Sequence, residues 1–185
     1  REKGGQAGKG TTAGTQEAAR PAPEEMDFNV DPSLLGMSFS DSTLGLRFRP
    51  PLGWPPLEPD LFEKTREAYS KLARAERFTS RPVRIFSDGE KRFFLILAEF
   101  PHWPAPLDPY VAFADYARQL QGPISDLNID QTFYRHGNLD VYHLIITNAA
   151  MVDHRLIILR DSRPPVQVDY LLPRVGYPDY LKTIE

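Results

Sequence analysis

The chain has 185 residues, 41% hydrophobic and 25% charged, with a formal net charge of −3. That is enough chain for one globular domain, and it lacks the concentrated basic field that phosphate binding needs, so nucleic acid is not an expected partner. There is no cysteine, which removes disulfides, thiolate nucleophiles and cysteine-held metals together. The longest apolar runs, such as residues 93–98, fall well short of the roughly 20 residues of a membrane-spanning helix.

Residues 1–25 contain no Val, Ile, Leu, Met, Phe, Trp or Tyr and have too little apolar surface to offset the entropy of ordering. A flexible tether over residues 1–33 is the expectation, with Met26, Phe28 and Val30 as its first contact with the domain. The chain opens on Arg1. Two readings of that start stand side by side: processing behind an upstream lipidated cysteine, or an arbitrary boundary.

Residues 44–49 alternate apolar and polar side chains as a half-buried strand does, and Pro50-Pro51 ends the run. Met37 and Phe39 mark a partner strand across Asp41-Ser42. Asp60 followed by Glu63 has the spacing of a capping box and opens a helix to about Phe78, with Leu61, Thr65, Ala68, Tyr69, Leu72 and Ala73 as its core stripe. Strands 83–87 and 92–99 meet at Asp88-Gly89-Glu90, where the Asp-Gly pair is expected to supply the positive φ of a tight reversal. Asp108-Pro109 starts a second helix with Tyr110, Val111, Phe113, Ala114, Ala117 and Leu120 on its apolar side, and Gly122-Pro123 stops it. Strands 129–136 and 139–148 then meet across Gly137-Asn138, a register that sets Arg135 opposite Asp140 and Tyr134 opposite Val141. Strands 152–160 and 166–172 follow, joined through Pro164-Pro165, and a last helix opens at Tyr177.

The 18 prolines, about twice the usual share, sit mostly at these joints and stiffen them. Two stretches resemble a known family. Gly45-Leu46-Arg47-Phe48-Arg49-Pro50-Pro51-Leu52-Gly53-Trp54 is similar to the strand, proline and tryptophan opening of PsbP-like domains. Val168-Asp169-Tyr170-Leu171-Leu172-Pro173, with Tyr177 to Thr183-Ile184-Glu185, resembles the closing strand and helix of the same group. The resemblance implies an α/β/α sandwich around an antiparallel sheet. Photosystem II extrinsic subunits, a Ran-binding import factor and bacterial envelope lipoproteins use it, and they act by binding other proteins.

Catalytic patterns are not found. His102, His136, His143 and His154 form neither HxH nor HExxH, and no GxSxG, phosphate-cradling glycine loop or dinucleotide fingerprint follows a strand. Asp60 and Asp108 are read as helix caps. Residues 64–92 hold nine Lys or Arg, more than their acidic residues, which makes either a solvated face or a docking surface. Trp54, His102 and Trp103 lie in proline-stiffened loops, where a preordered aromatic anchors an interface at little entropic cost.

The expected fold class is α+β, an α/β/α sandwich with a central antiparallel sheet flanked by helices, over residues 34–185. The expected function is a non-enzymatic protein-interaction domain: an accessory subunit of a larger assembly, tethered by an upstream lipid anchor rather than a transmembrane helix. No cofactor or metal is expected. An extracytoplasmic location is expected, with a cytoplasmic one left open. The candidate interaction surface is Trp103, His102, Trp54, Arg74, Arg77 and Arg81. The alternative is a small-ligand or lipid-binding envelope module, and an unfamiliar enzyme is a third reading. An apolar exposed patch around Trp103 favours the first, an enclosed pocket lined by Phe and Tyr the second, and a cleft joining His143 or His136 to a buried carboxylate the third.

Overall fold

The structure, a computed structural model, describes residues 24–25, 31–72, 78–103, 108–121, 127–160, 163–175 and 177. In chain order its elements are β1 (Glu24–Glu25), a single 3-10 turn (Pro32–Leu34), β2 (Phe39–Asp41), β3 (Leu46–Phe48), α1 (Pro59–Leu72), β4 (Arg81–Ser87), β5 (Phe94–Glu99) and α2 (Pro109–Gln121). They are followed by β6 (Asn128–His136), β7 (Leu139–Thr147), β8 (Met151–Arg160) and β9 (Arg163–Pro173). Six strands form one antiparallel sheet in the order β6-β7-β8-β9-β5-β4, and β1 adds two residues in parallel to the outer edge of β6. Those two residues fall inside the stretch expected to be a tether. Met26, Phe28 and Val30 lie outside the described residues.

The four consecutive strands from β6 to β9 form the expected ladder. Arg135 pairs with Asp140 and Tyr134 with Val141, and Gly137 reverses the chain at φ 59°. The Arg135 guanidinium adds a two-pronged bridge to Asp140, at 2.7 and 3.1 Å. At the β4–β5 turn the positive φ of 56° belongs to Lys91, not Gly89. The turn is held instead by the Asp88 carboxylate, which accepts from the backbone amides of Arg92 at 2.7 Å and Phe93 at 3.0 Å. Pro164 and Pro165 are not in the connection but inside β9, next to a register shift between Ile158 and Arg160. The irregularity lies where prolines cannot donate to a ladder.

An α/β/α sandwich is not what forms. The protein is mostly sheet, and both long helices lie on the same face of it. In α2, Phe113 stacks on Tyr142 of β7 at 4.2 Å, and in α1 the Tyr69 hydroxyl bonds Asp169 of β9. Register places Tyr142, Ile157 and Gln167 together on that side, and Asp169 shares it with Gln167 two residues along the strand. The opposite face is covered by the two-stranded ribbon β2–β3 and the loop after it. Phe39 and Phe48 each meet Phe86 edge-on at 5.5 Å, and Trp54 stacks near Phe93. The physical reason lies in residues 36–56, where period-two apolar positions and prolines at 50, 51, 55 and 56 rule out a helix there. Of the helix expected after β9, Tyr177 alone lies within the described residues.

Two helix details also differ. The α1 helix starts at Pro59, with the Phe62 amide donating to the Glu58 carbonyl, so Asp60 lies within the first turn, and Glu63 pairs with Arg66 on the surface. The buried side of α2 is Ala112, Phe113, Tyr116 and Ala117, while Val111 and Ala114 are exposed. Substituting Lys91→Gly should raise stability by about 0.5–1 kcal/mol, because a left-handed residue with a Cβ costs about 1–2 kcal/mol and glycine's entropy returns part of that. Gly137→Ala should cost about 1–2 kcal/mol by the same cause, since no atom lies within 4 Å of the added Cβ. Urea denaturation of both variants measures the two effects.

Candidate functional site

The helix-covered face of the sheet holds a group of charges where apolar side chains would be expected. Residues two apart on a strand share a face, so Asp153 and Arg155 of β8 and Gln167 and Asp169 of β9 all point toward the helices. Register sets Arg155 directly opposite Asp169. Asp153 is 6% exposed, and Gln167 and Asp169 are fully buried.

The Arg155 guanidinium is the hub. Its Nε donates to Asp169 Oδ1 at 3.0 Å, one terminal nitrogen to Asp153 Oδ2 at 2.7 Å and the other to the Tyr116 hydroxyl of α2 at 2.6 Å. Asp169 Oδ2 accepts from the Tyr69 hydroxyl of α1 and from Gln167 Nε2, both at 2.7 Å. The Tyr116 hydroxyl donates to Gln167 Oε1 at 3.3 Å, and Tyr69 also contacts Ser80 Oγ at 3.3 Å. Both helices are thus tied to the sheet through phenolic hydroxyls.

The two carboxylates are served unequally. Asp169 takes three donors, whereas Asp153 takes one, and its Oδ1 is buried with no hydrogen-bond partner. Burial pushes the Asp153 carboxyl up to about 7, opposed by Arg155 and reinforced by the charge of Asp169. Arg155 stays charged because the two carboxylates outweigh its own burial, and burial also pushes Tyr116 up to about 12. With both acids ionised, two negative charges face one positive one.

Above this cluster lies a cavity of about 250 Å³ between α1, α2 and the sheet. Phe78, Leu120, Ile146, Met151 and Leu171 supply apolar walls, while Asp153, Arg155, Tyr69 and Tyr116 form its polar side.

Two histidines meet on the opposite face. His143 Nε2 lies 3.1 Å from His154 Nδ1, and His154 Nε2 lies 2.5 Å from the Tyr177 hydroxyl. Burial lowers both imidazoles, and the neighbouring His143 lowers His154 further, to about 4. The sheet separates this pair from Asp153 and Asp169. No group of three or more His, Asp or Glu among the described residues is placed to hold a metal ion.

The residues singled out from sequence are not brought together. Trp54 is buried beneath the ribbon. Trp103 is half-buried on the helix side against Phe78, Phe100 and Phe113, at 5.2 to 5.8 Å, and His102 is exposed beside it. Arg81, on the edge strand β4, donates from Nε to Glu99 at 3.0 Å. Arg74 and Arg77 lie outside the described residues. Sequence reading passed over the Asp153/Arg155 and Gln167/Asp169 pairs, and took Tyr69 as plain core. The available signal was polar residues at i and i+2 inside two strands otherwise rich in Val, Ile and Leu. No helix among the described residues is long and apolar enough to cross a membrane. Comparison with known proteins returns no match, neither to a protein-family model nor to a characterised protein.

Neighbours in sequence, Asp153 and His154 respond oppositely to pH. A carboxyl raised from 3.8 to about 7 binds more protons in the folded state, so its contribution is full below 3.8 and lost as pH rises through about 7. An imidazole lowered from 6.5 to about 4 contributes fully above 6.5 and loses that as pH falls through about 4. Asp153→Asn should therefore leave a protein that weakens steadily on acidification from pH 6.5 to 4. The His143→Gln/His154→Gln double variant should gain stability over the same range relative to the wild type. Chemical denaturation at half-unit pH steps reads both slopes.

Proposed function

We propose that this domain is a small-molecule binding module whose ligand enters the cavity between the two helices and the sheet. The observation that carries this is Asp153, a residue of the cavity lining whose buried Oδ1 has no hydrogen-bond partner. A buried carboxylate oxygen with no donor costs roughly 1–3 kcal/mol or more, a cost that a ligand supplying the donor removes. Tyr69, Phe78 and Tyr116 in the lining give the aromatic, mostly apolar surface with few polar groups that small-ligand sites use. At about 250 Å³ the space lies just under the roughly 300–1,000 Å³ of drug-sized sites, which points to a small ligand.

A protein partner is the second reading. It is favoured by an apolar groove of about 440 Å³ on the ribbon side, lined by residues 36–39 and 50–56 with Phe86, where Met37 is 89% and Leu52 65% exposed. The PsbP-like resemblance of the flanking segments, a group whose members bind proteins, supports it further.

The two readings separate on where a substitution acts. Leu171→Trp fills the cavity and should abolish ligand-induced thermal stabilisation, which for a ligand at 100 times its Kd amounts to about 2.7 kcal/mol. Met37→Glu with Leu52→Glu should leave that stabilisation intact. A fragment screen by thermal shift, repeated on both variants, decides between them.

A further inference from the structure

If the cavity does bind a small molecule, as proposed above, the charges in its wall select the chemistry of that molecule. We infer that the ligand is a small organic cation, a primary or secondary amine carried on a compact apolar body.

Two charged residues line the polar side, Asp153 and Arg155, and the fully buried Asp169 pairs with Arg155 behind them. Asp169 has its guanidinium, hydroxyl and amide donors and needs nothing more. The surplus negative charge therefore rests on Asp153, the same group that has an oxygen without a donor. Among the described residues that line the cavity the cation is Arg155, and it is already shared between the two acids. An ammonium group supplies both missing things at once, a donor and a positive charge. A neutral alcohol supplies only the donor. A carboxylate or phosphate would meet Asp153 beside a guanidinium already shared between two acids, so its charge would add to a surplus rather than offset one.

Proton linkage gives this a signature. The charged and titratable groups facing Asp153 among the described residues are Arg155 on its own strand, Asp169 on β9 and Tyr116 on α2, with Tyr69 on α1 one step removed through Asp169 and Arg155. The guanidinium stays charged, and burial holds both phenols protonated through the neutral range. Asp153 is thus the group that changes state near neutrality, and an ammonium displaces its proton. Amine affinity should rise about tenfold per pH unit on approach to pH 7 and level off above it. A neutral acceptor bound to the protonated acid would show the reverse slope.

The test is calorimetric titration of the full chain with benzylamine, benzyl alcohol and benzoate, three probes of one shape. Benzylamine should bind at least tenfold tighter than either of the others at pH 7.5, and about tenfold tighter at pH 6 than at pH 5. Asp153→Asn should erase the preference over benzyl alcohol. Should that variant fail to fold, the wild-type pH profile and probe ranking carry the decision. Equal or tighter binding of the alcohol or the benzoate, or an amine affinity flat or falling with pH, overturns the cation class and leaves the cavity reading standing. Binding by none of the three, with no change at the Met151 and Ile146 methyl resonances, overturns both.

Discussion

One guanidinium shared between two buried carboxylates governs how this molecule is put together. Arg155 joins β8 to β9 through Asp169, and it joins the sheet to α2 through Tyr116. Asp169 then reaches α1 through Tyr69. Removing these charges from water costs several kcal/mol per ion, and their attraction offsets that only when geometry and hydrogen bonding are nearly complete. Completeness holds at Asp169 and stops at Asp153. That imbalance within a network this tightly tied is what the proposed ligand site rests on.

The sheet separates two environments. On the helix side, aromatic packing of Phe113 on Tyr142 and of Trp103 on Phe78 and Phe100 surrounds a polar centre. On the ribbon side, Phe39, Phe48 and Phe86 form an apolar cluster, and the His143–His154–Tyr177 chain stands over β7 and β8. Strand alternation alone sends Asp153 to one environment and His154 to the other. Their protonation equilibria oppose each other, so an acid-stable and an acid-sensitive element sit one residue apart.

Much of the ladder was legible because its signals are local. Short apolar-rich runs bounded by turn residues mark the strands, and Gly137 fixes the β6–β7 turn, so the opposition of Arg135 and Asp140 follows from counting. The second face was not legible in this way. A resemblance in residues 45–54 and 168–185 implied a helical layer there, whereas Phe39, Leu46 and Phe48 alternate at the strand period, and prolines 50, 51, 55 and 56 keep the segment extended. The polar cluster depends on a register that no local signal carries. The parity of Asp153 with Arg155, and of Gln167 with Asp169, is readable within each strand. Their meeting depends on a shift between Ile158 and Arg160, next to the two prolines that open β9. On α2 the buried side turned on Tyr116, whose hydroxyl seeks the polar centre, rather than on the exposed Val111 and Ala114.

The central claim is that Asp153 is a buried acid with one oxygen left unserved, and its own carboxyl carbon reports that directly. Carbon-13 NMR titration of the aspartate side chains in the unliganded protein should show Asp153 with a midpoint near 7, moved there first by burial. An Asp153 carboxyl titrating near its ordinary value of 3.8 would mean that water or another donor already serves it, and the site as described would not exist.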